Sequence, residues 1–406
     1  MDLLDVVDAE ENNMLRSGTR NRVIKNIYLA EDNEPLDTYS SSENFAPQIY
    51  VVNFENNQGF ALVSADDRTS SIYALVNEGN LEESTIIDNP GLIIFLENAS
   101  ILYSNEIEAY ENINNNSYAK TYSSRTSNET LINIGSWTTQ SSVAPLTKVF
   151  WNQEGSYNRY CLAPNGQRAY AGCVPVAVAT LMSYHKHPAS YNNHTYYWDD
   201  MTEYRTLGDV TPRGQEAIAH LISDIGKAGN AVYSNDPNVG TSMKESEAVN
   251  TIKKFGYKSV PSSFSEYNFT SIESSLKKGL PVLISAYAVA TSKSTLLPGR
   301  TYNPNSTSLF THSKGHMWVI DGYIKRNRTL YYSTGRTSIE SETLVNCNWG
   351  WGTTVVNGYY ISGAFDARYN STNTAGNGEI NITTYSSFGE QYNYQYKITM
   401  LPNVNK

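Results

Sequence analysis

An α+β fold is predicted by three features of this 406-residue chain. From residue 143 on, helical patterns collect in the first half and strand patterns in the second. Segregation of that kind marks an α+β domain rather than alternating βα units. A smaller N-terminal unit, residues 1–112, has its own short strands and one long amphipathic segment. A polar stretch, residues 113–142, separates the two. The length itself exceeds one ordinary hydrophobic core.

The N-terminal unit opens on mixed polar and apolar residues, with weak helical periodicity from Val23 to Leu29, followed by a Ser/Asn/Pro loop (33–47). Gln48–Phe54 and Gly59–Ser64 carry the β-branched and aromatic residues of a hairpin, joined by an Asn56–Gly59 turn, and Ile72–Val76 reads as a third strand. Pro90 to about Asn112 suits a helix, with Ile93, Leu96, Ile101 and Ile107 on one face and Glu106, Glu108 and Glu111 on another. The stretch 113–142 is rich in Asn and Ser, reads as an exposed linker, and contains Lys120 and Arg125. Beyond it, helices are expected over 173–187, 213–230, 243–256 and 269–279. Strands are expected over 281–288, 316–324, 328–333, 343–348, 356–362 and 392–400.

Composition narrows the function classes. Charged residues are 17% of the chain, so much of the polar surface comes from Asn, Ser, Thr and 31 Tyr. The net charge of −10 is uneven: residues 1–125 hold 7 basic and 21 acidic residues, a balance of −14, and the remainder is +4. This argues against a nucleic-acid binder with a basic face and lets the two parts attract each other. No apolar run approaches the length of a membrane span. The acidic start lacks the basic region of a signal peptide, which leaves a cytosolic protein or one whose signal has been removed. Three cysteines exclude a disulfide scaffold and a four-cysteine zinc site. His185, His187 and His194 read as neighbours of a helix end rather than as metal ligands; neither a metal nor a cofactor is expected.

The strongest local signal is AYAGCVPVAVATLMSYHKHP (169–188). Cys173 follows Gly172 and opens an amphipathic run that tolerates Pro175 in its first turn and ends at Pro188. A thiol at a helix N-terminus is favoured as thiolate, the form that attacks carbonyls; a small buried cysteine fits the same position. A nucleophilic cysteine needs a base. His316, in KGHMWVIDGYI, begins an apolar strand after Gly315, and stands 143 residues beyond Cys173, the spacing of papain-type enzymes. Asn348, 32 residues further on in VNCNWGWG, can orient the imidazole, with Trp349 covering that bond and Trp351 walling a cleft. An aromatic hairpin core is the alternative reading of that segment. Gln153, 20 residues before Cys173, can supply an oxyanion donor beside the Cys173 N–H. Cys347 should face the core, opposite Asn348.

Together WNQ, AGCV with LMSYHKHP, GHMWVIDGY and NWGWG resemble the streptopain family of bacterial papain-like cysteine proteases, over residues 145–400. The segment QIYVVNFENNQGFALVSADDR (48–68) resembles that family's inhibitory pro-domain. The resemblance implies a papain-like two-lobe catalytic domain (143–406), a helical lobe bearing Cys173 and an antiparallel β lobe bearing His316, preceded by a small α+β pro-domain (1–112) and a cleavable linker. It implies a secreted, periplasmic or cell-surface zymogen, monomeric, acting on proteins or peptides. Cys173 would be the nucleophile, His316 the base, Gln153 the oxyanion donor, and Asn348 with Trp349 the orienting pair. Gly172, Gly240, Thr241, Ser242, Gly315 and Trp351 would contact substrate; Thr241 or Ser242 serves equally as a helix cap. Asn89 falls in a pro-domain loop that, in this family, displaces the histidine. Lys314 departs from the family's common Gly. Processing is expected after Lys120 or Arg125. Two other classes fit the same residues: a different Cys-His acyl transferase or amidase, and a catalytically silent binding protein on the same fold.

Overall fold

A computed structural model describes residues 3–14, 22–29, 49–64, 66, 68–82, 85–87, 89–115, 131–236, 239–288, 301–302, 315–352, 356–366, 374–375 and 396–406. Lys120, Arg125, Lys314, the loop 33–47 and most of the loop 289–315 lie outside the described residues.

The N-terminal unit comprises α1 (Leu3–Met14), β1 (Ile24–Leu29), β2 (Ile49–Phe54), β3 (Phe60–Ser64), β4 (Ile72–Val76) and α2 (Pro90–Asn115). The three expected strands form, with β2, β3 and β4 adjacent and antiparallel. Val23–Leu29, whose apolar spacing reads as helical, is instead mostly strand, because β1 pairs with β2 through Tyr28↔Val51 and its neighbours. Four apolar residues in seven fit either period, and pairing decides. Helix α2 has Pro at its first position and Asn89 as cap, whose Oδ1 accepts from Leu92 N at 3.0 Å. It is buried nearly all round, from Leu92 to Leu96 and again at Ala99, Leu102 and Tyr103, because it lies between the two units.

Glu106 lies on a face apart from the apolar one, yet it is not exposed. It is buried, and accepts from Ser70 N at 3.1 Å, Ser70 Oγ at 2.6 Å and Tyr73 Oη at 2.6 Å. Loss of solvent outweighs these three donors and pushes its carboxyl up to about 7.

The C-terminal unit holds β5 (Leu131–Ile134), β6 (Thr138–Val143), α3 (Cys173–His185), α4 (Pro212–Ala228), α5 (Glu245–Lys254), α6 (Phe269–Lys277), β7 (Val282–Ala288), β8 (Gly315–Tyr332), β9 (Thr337–Asn348), β10 (Gly358–Ile361) and β11 (Tyr396–Leu401). The four helices start and stop close to their expected bounds. Two expected strands, 316–324 and 328–333, are one 18-residue strand, β8. The polar break between them is Arg326, which is buried against Glu342 on β9 (Nη2–Oε2 2.5 Å) and lies under the Trp137 ring. Strands β5 and β6 fall inside the stretch read as linker. They pair with β8 beyond the point where β7 ends, so one edge of β8 carries β7, β6 and β5 in turn. The polar sequence of β6 alternates exposed and half-buried positions and so lacks an apolar signature.

One sheet runs through both units in the order β1-β2-β3-β4-β10-β9-β8-β7-β11. The seam is β4 on β10, with Ala74↔Tyr360, Leu75↔Tyr359 and Val76↔Gly358. Polar contacts flank it: Ser71 N donates to Glu342 at 2.6 Å, and Arg205 pairs with Glu78 at 3.2 Å. Strand alternation sorts β8 into two faces. Met317 and Val319 join the core of α3, α4 and α5, whereas Trp318 and Ile320 join the core of α2 and the N-terminal unit. Among the described residues no helix is long and apolar enough to cross a membrane.

The elevated Glu106 carboxyl gives a signed prediction. A folded value of about 7 against 4.5 means that its contribution is full below pH 4.5 and lost as pH rises through 7. The cost at pH 8 is about 3 kcal/mol from a 1.36 kcal/mol equivalence per unit. Thermal melts of wild type and Glu106→Gln should therefore diverge between pH 4.5 and 8, with the glutamine variant losing less. Parallel curves would contradict the assignment.

Candidate active site

Cys173 is the first residue of α3, preceded by Gly172 at φ +91°, a conformation that favours glycine. The methyl of Thr241 lies 3.0 Å from where a Cβ on Gly172 would stand, which closes that side further. Thr241 is fixed there, donating to Tyr170 O at 2.6 Å and accepting from Ser234 N at 3.1 Å. Ser242 is exposed, and Gly240 has open space around its Cα. Neither Thr241 nor Ser242 caps α5, whose cap position is Lys244. Gln153 is buried beside the nucleophile's loop, its carbonyl accepting from Ala171 N at 2.9 Å. Gly352 N donates to Trp151 O at 3.1 Å, so the NWGWG segment returns to the same loop.

His316 is buried near the start of β8. By alternation it shares the face of Trp318, with the two rings stacked at 6.1 Å. Its Nε2 lies 2.9 Å from the Trp349 carbonyl. A carbonyl only accepts, so Nε2 carries the proton and Nδ1 is the free base. Gly315 is exposed, but a Cβ there would meet Ala286 O at 2.3 Å, so close passage of β7 accounts for this glycine.

The expected His316–Asn348 pairing is not made in this state. Asn348 Nδ2 donates to Val149 O at 2.7 Å and Thr147 Oγ1 at 3.1 Å, and its Oδ1 faces Gly350 N at 3.4 Å. The Trp349 backbone carbonyl takes the ring N–H instead. Nor, among the described residues, does any hydrogen bond join Cys173 to His316. Burial sets both in their neutral forms: it raises the Cys173 thiol against the backbone N–H groups of Met317, Val174 and Cys173 itself, and holds His316 down to about 4. The parts of a thiolate–imidazolium pair are near one another in an arrangement that disfavours the pair.

Helix α2 sits on this arrangement. A Cβ on Gly91 would fall 2.1 Å from Cε3 of Trp349, so the helix backbone lies directly on the indole. The same indole packs on Trp318 at 4.8 Å and edge-on to Tyr360 at 5.2 Å, and donates from Nε1 to Val356 O. Asn89 is buried two residues before Gly91, as the α2 cap. Trp351 is half-buried with its ring edge-to-face to His316 at 5.9 Å. Thus Cys173, Gly172, Gln153 and Thr241 gather on one side, and His316, Asn348, Trp349 and Trp351 on the other. Gly240 and Ser242 flank Thr241 in the chain. Cys347 is buried in the core, and Cys161, Cys173 and Cys347 are all free thiols.

Elsewhere, His185 contacts Tyr257 and His194 pairs with Asp224 at 2.7 Å, and no group of three or more His, Cys, Asp or Glu among the described residues could hold a metal ion. Sequence reasoning missed Thr147 and Asp321. An aspartate inside the apolar run MWVIDGYI is the one signal that pointed to them. Replacing Gly91 with Leu must shift α2 off the indole, at a cost of order 1–3 kcal/mol. Gly91→Leu is expected to melt at lower temperature and to expose Cys173 to iodoacetamide several-fold faster than wild type. Equal alkylation rates would show that the contact does not hold the site closed.

Comparison with known proteins agrees with this geometry. Residues 151–360, spanning Cys173, His316 and Asn348, match the model of the Peptidase C10 family, and residues 13–101 match that of the Spi protease inhibitor. The thiol protease/hemagglutinin PrtT of Porphyromonas gingivalis is 24% identical over 353 residues, which is 80% of this chain. The match takes in 35% of PrtT, so the chain spans about a third of that relative's length. A solved fragment of prointerpain A from Prevotella intermedia superposes with a TM-score of 0.53 at 20% identity, over 94% of this chain and 99% of that one. An inhibitor-like unit docked by strand pairing on a papain-like fold, together with a family match over more than half its length, shows that this chain belongs to the Peptidase C10 family.

Proposed function

We propose that this chain is the latent precursor of a cysteine endopeptidase. The observation that carries the reading is Cys173 at a helix N-terminus, facing a strand whose His316 is held by the Trp349 carbonyl beneath a docked α2. Residues 1–112 are the inhibitory unit and 143–406 the catalytic domain, and of the stretch 113–142 between them β5 and β6 belong to the catalytic sheet. Since β5 and β6 pair with β8, cleavage falls before Leu131, after Lys120 or Arg125.

Once α2 leaves, water reaches the site and the burial that keeps both groups neutral is relieved. His316 then takes the thiol proton, and its other ring N–H turns to Asn348 Oδ1. The Cys173 thiolate attacks the carbonyl carbon of a peptide bond. The oxyanion is held by the Gln153 side-chain amide and the Cys173 N–H. The imidazolium protonates the leaving amine, which gives a thioester. Water, deprotonated by the same imidazole, releases the acid and regenerates the thiol. Trp351 and Thr241 flank the peptide, and the aromatic walls suit apolar side chains near the scissile bond. The protein acts as a monomer on protein or peptide substrates, outside the cytoplasm. The low charge and the Asn-, Ser- and Tyr-rich composition support that location.

Incubation of the purified chain with reductant tests the reading. Loss of the N-terminal unit and the onset of caseinolysis are expected, and Cys173→Ala should fold normally yet show neither. Caseinolysis by Cys173→Ala would rule out the mechanism. N-terminal sequencing of the processed wild type should place its start between residues 116 and 131. A start before residue 110 or beyond Gln153 would contradict the proposed connection.

A further inference from the structure

Strands β8 and β9 are in register at Val319↔Asn348 and Ile320↔Cys347, and then at Gly322↔Asn346. Asp321 is the extra residue of a β-bulge, a device that re-aims one side chain. A Cβ on the next residue, Gly322, would meet Val143 O at 2.8 Å and Pro145 N at 3.0 Å, so the chain after β6 runs against the bulge. Leu146 N donates to Asp321 O at 3.0 Å. Thr147 then donates twice to one carboxylate oxygen, from N at 3.0 Å and from Oγ1 at 2.5 Å. Asp321, Thr147 and Asn348 are all buried and line one cavity.

The hydroxyl proton of Thr147 is thereby committed to Asp321, and its lone pair faces Asn348 Nδ2 at 3.1 Å. The second partner of Nδ2, Val149 O, can only accept. Both contacts admit the amide nitrogen and reject the amide oxygen. The Asn348 side chain therefore has one permitted orientation, with Oδ1, which also accepts from Gly350 N at 3.4 Å, on the opposite end to receive a ring N–H.

The geometry points to Asp321 and Thr147 as positioning residues of the peptidase: through their hydrogen bond they fix which end of the Asn348 amide meets the imidazole of His316. This inference rests on the peptidase reading above. Without the hydroxyl, the amide loses an anchor and can present its NH₂ group to the ring, which cannot accept the imidazolium proton.

The test uses the full chain, processed by the same added trypsin and quantified as processed protein by intact mass. Thr147→Val should lower kcat by about 10- to 100-fold, the scale of a misplaced catalytic group, with KM within about twofold. Thr147→Ser, which restores the hydroxyl, should return kcat to within about threefold of wild type. Asp321→Asn should also lower kcat with little change in KM. An active wild type whose Thr147→Val variant keeps kcat within twofold would overturn the inference alone. So would a loss that Thr147→Ser does not rescue and that tracks a fall in melting temperature. A processed wild type without peptidase activity would instead bring down the peptidase reading, and this inference with it.

Discussion

The hydrogen bond from His316 Nε2 to the Trp349 carbonyl is the contact on which the architecture of the site turns. It occupies one ring nitrogen, and it fixes the tautomer of the imidazole. The carbonyl is available because the Trp349 indole is clamped by Trp318, Tyr360 and the backbone of α2 at Gly91. A bond 2.9 Å long is thus set by packing that extends across both units. Burial then acts in the same direction, since it penalises the charged form of both the thiol and the imidazole.

The two faces of β8 explain how one strand serves both parts of the molecule. Met317 and Val319 anchor the strand to the helical lobe, and Trp318 and Ile320 anchor it to α2. His316 stands at the end of the second set. The inhibitory unit therefore does not merely cover a finished cleft; its core is continuous with residues that determine where the imidazole points. The seam of β4 on β10 extends this continuity through the backbone, and the Ser71–Glu342–Arg326 cluster adds a buried polar tie beside it. Such a cluster is costly to break from one side, since it leaves a buried charge without its partner.

Much of this was legible in the sequence, and the exceptions have physical causes. The helix start at Cys173 is marked by Gly172, Pro175 and Pro188, which are local signals. The hairpin at 49–64 and the helix from Pro90 carry clear periodicity. Strand β6 escaped because a half-exposed edge strand of Thr, Gln and Ser has no apolar pattern. Arg326 seemed to divide β8 because a charge in a strand reads as a break until its buried partner Glu342 is seen. The burial of Glu106 was not legible, since nothing local announces that Ser70 and Tyr73 come to meet it. The residue types of the site could be read from motifs. The partners that His316 and Asn348 take could not, because no local pattern marks the Trp349 and Val149 carbonyls as their acceptors.

The continuous sheet has a consequence for the processing proposed above. A cut anywhere between Asn115 and Leu131 removes one covalent link and leaves every pair along β4 and β10 in place, while β5 and β6 keep the new chain end fastened to β8. Such scission would yield a nicked two-chain complex, and the parting of its halves would be a separate event governed by mass action. Dilution would favour separation and crowding of the fragments in a small volume recapture, so the proposed activity would start in step with the volume into which the cut protein spreads.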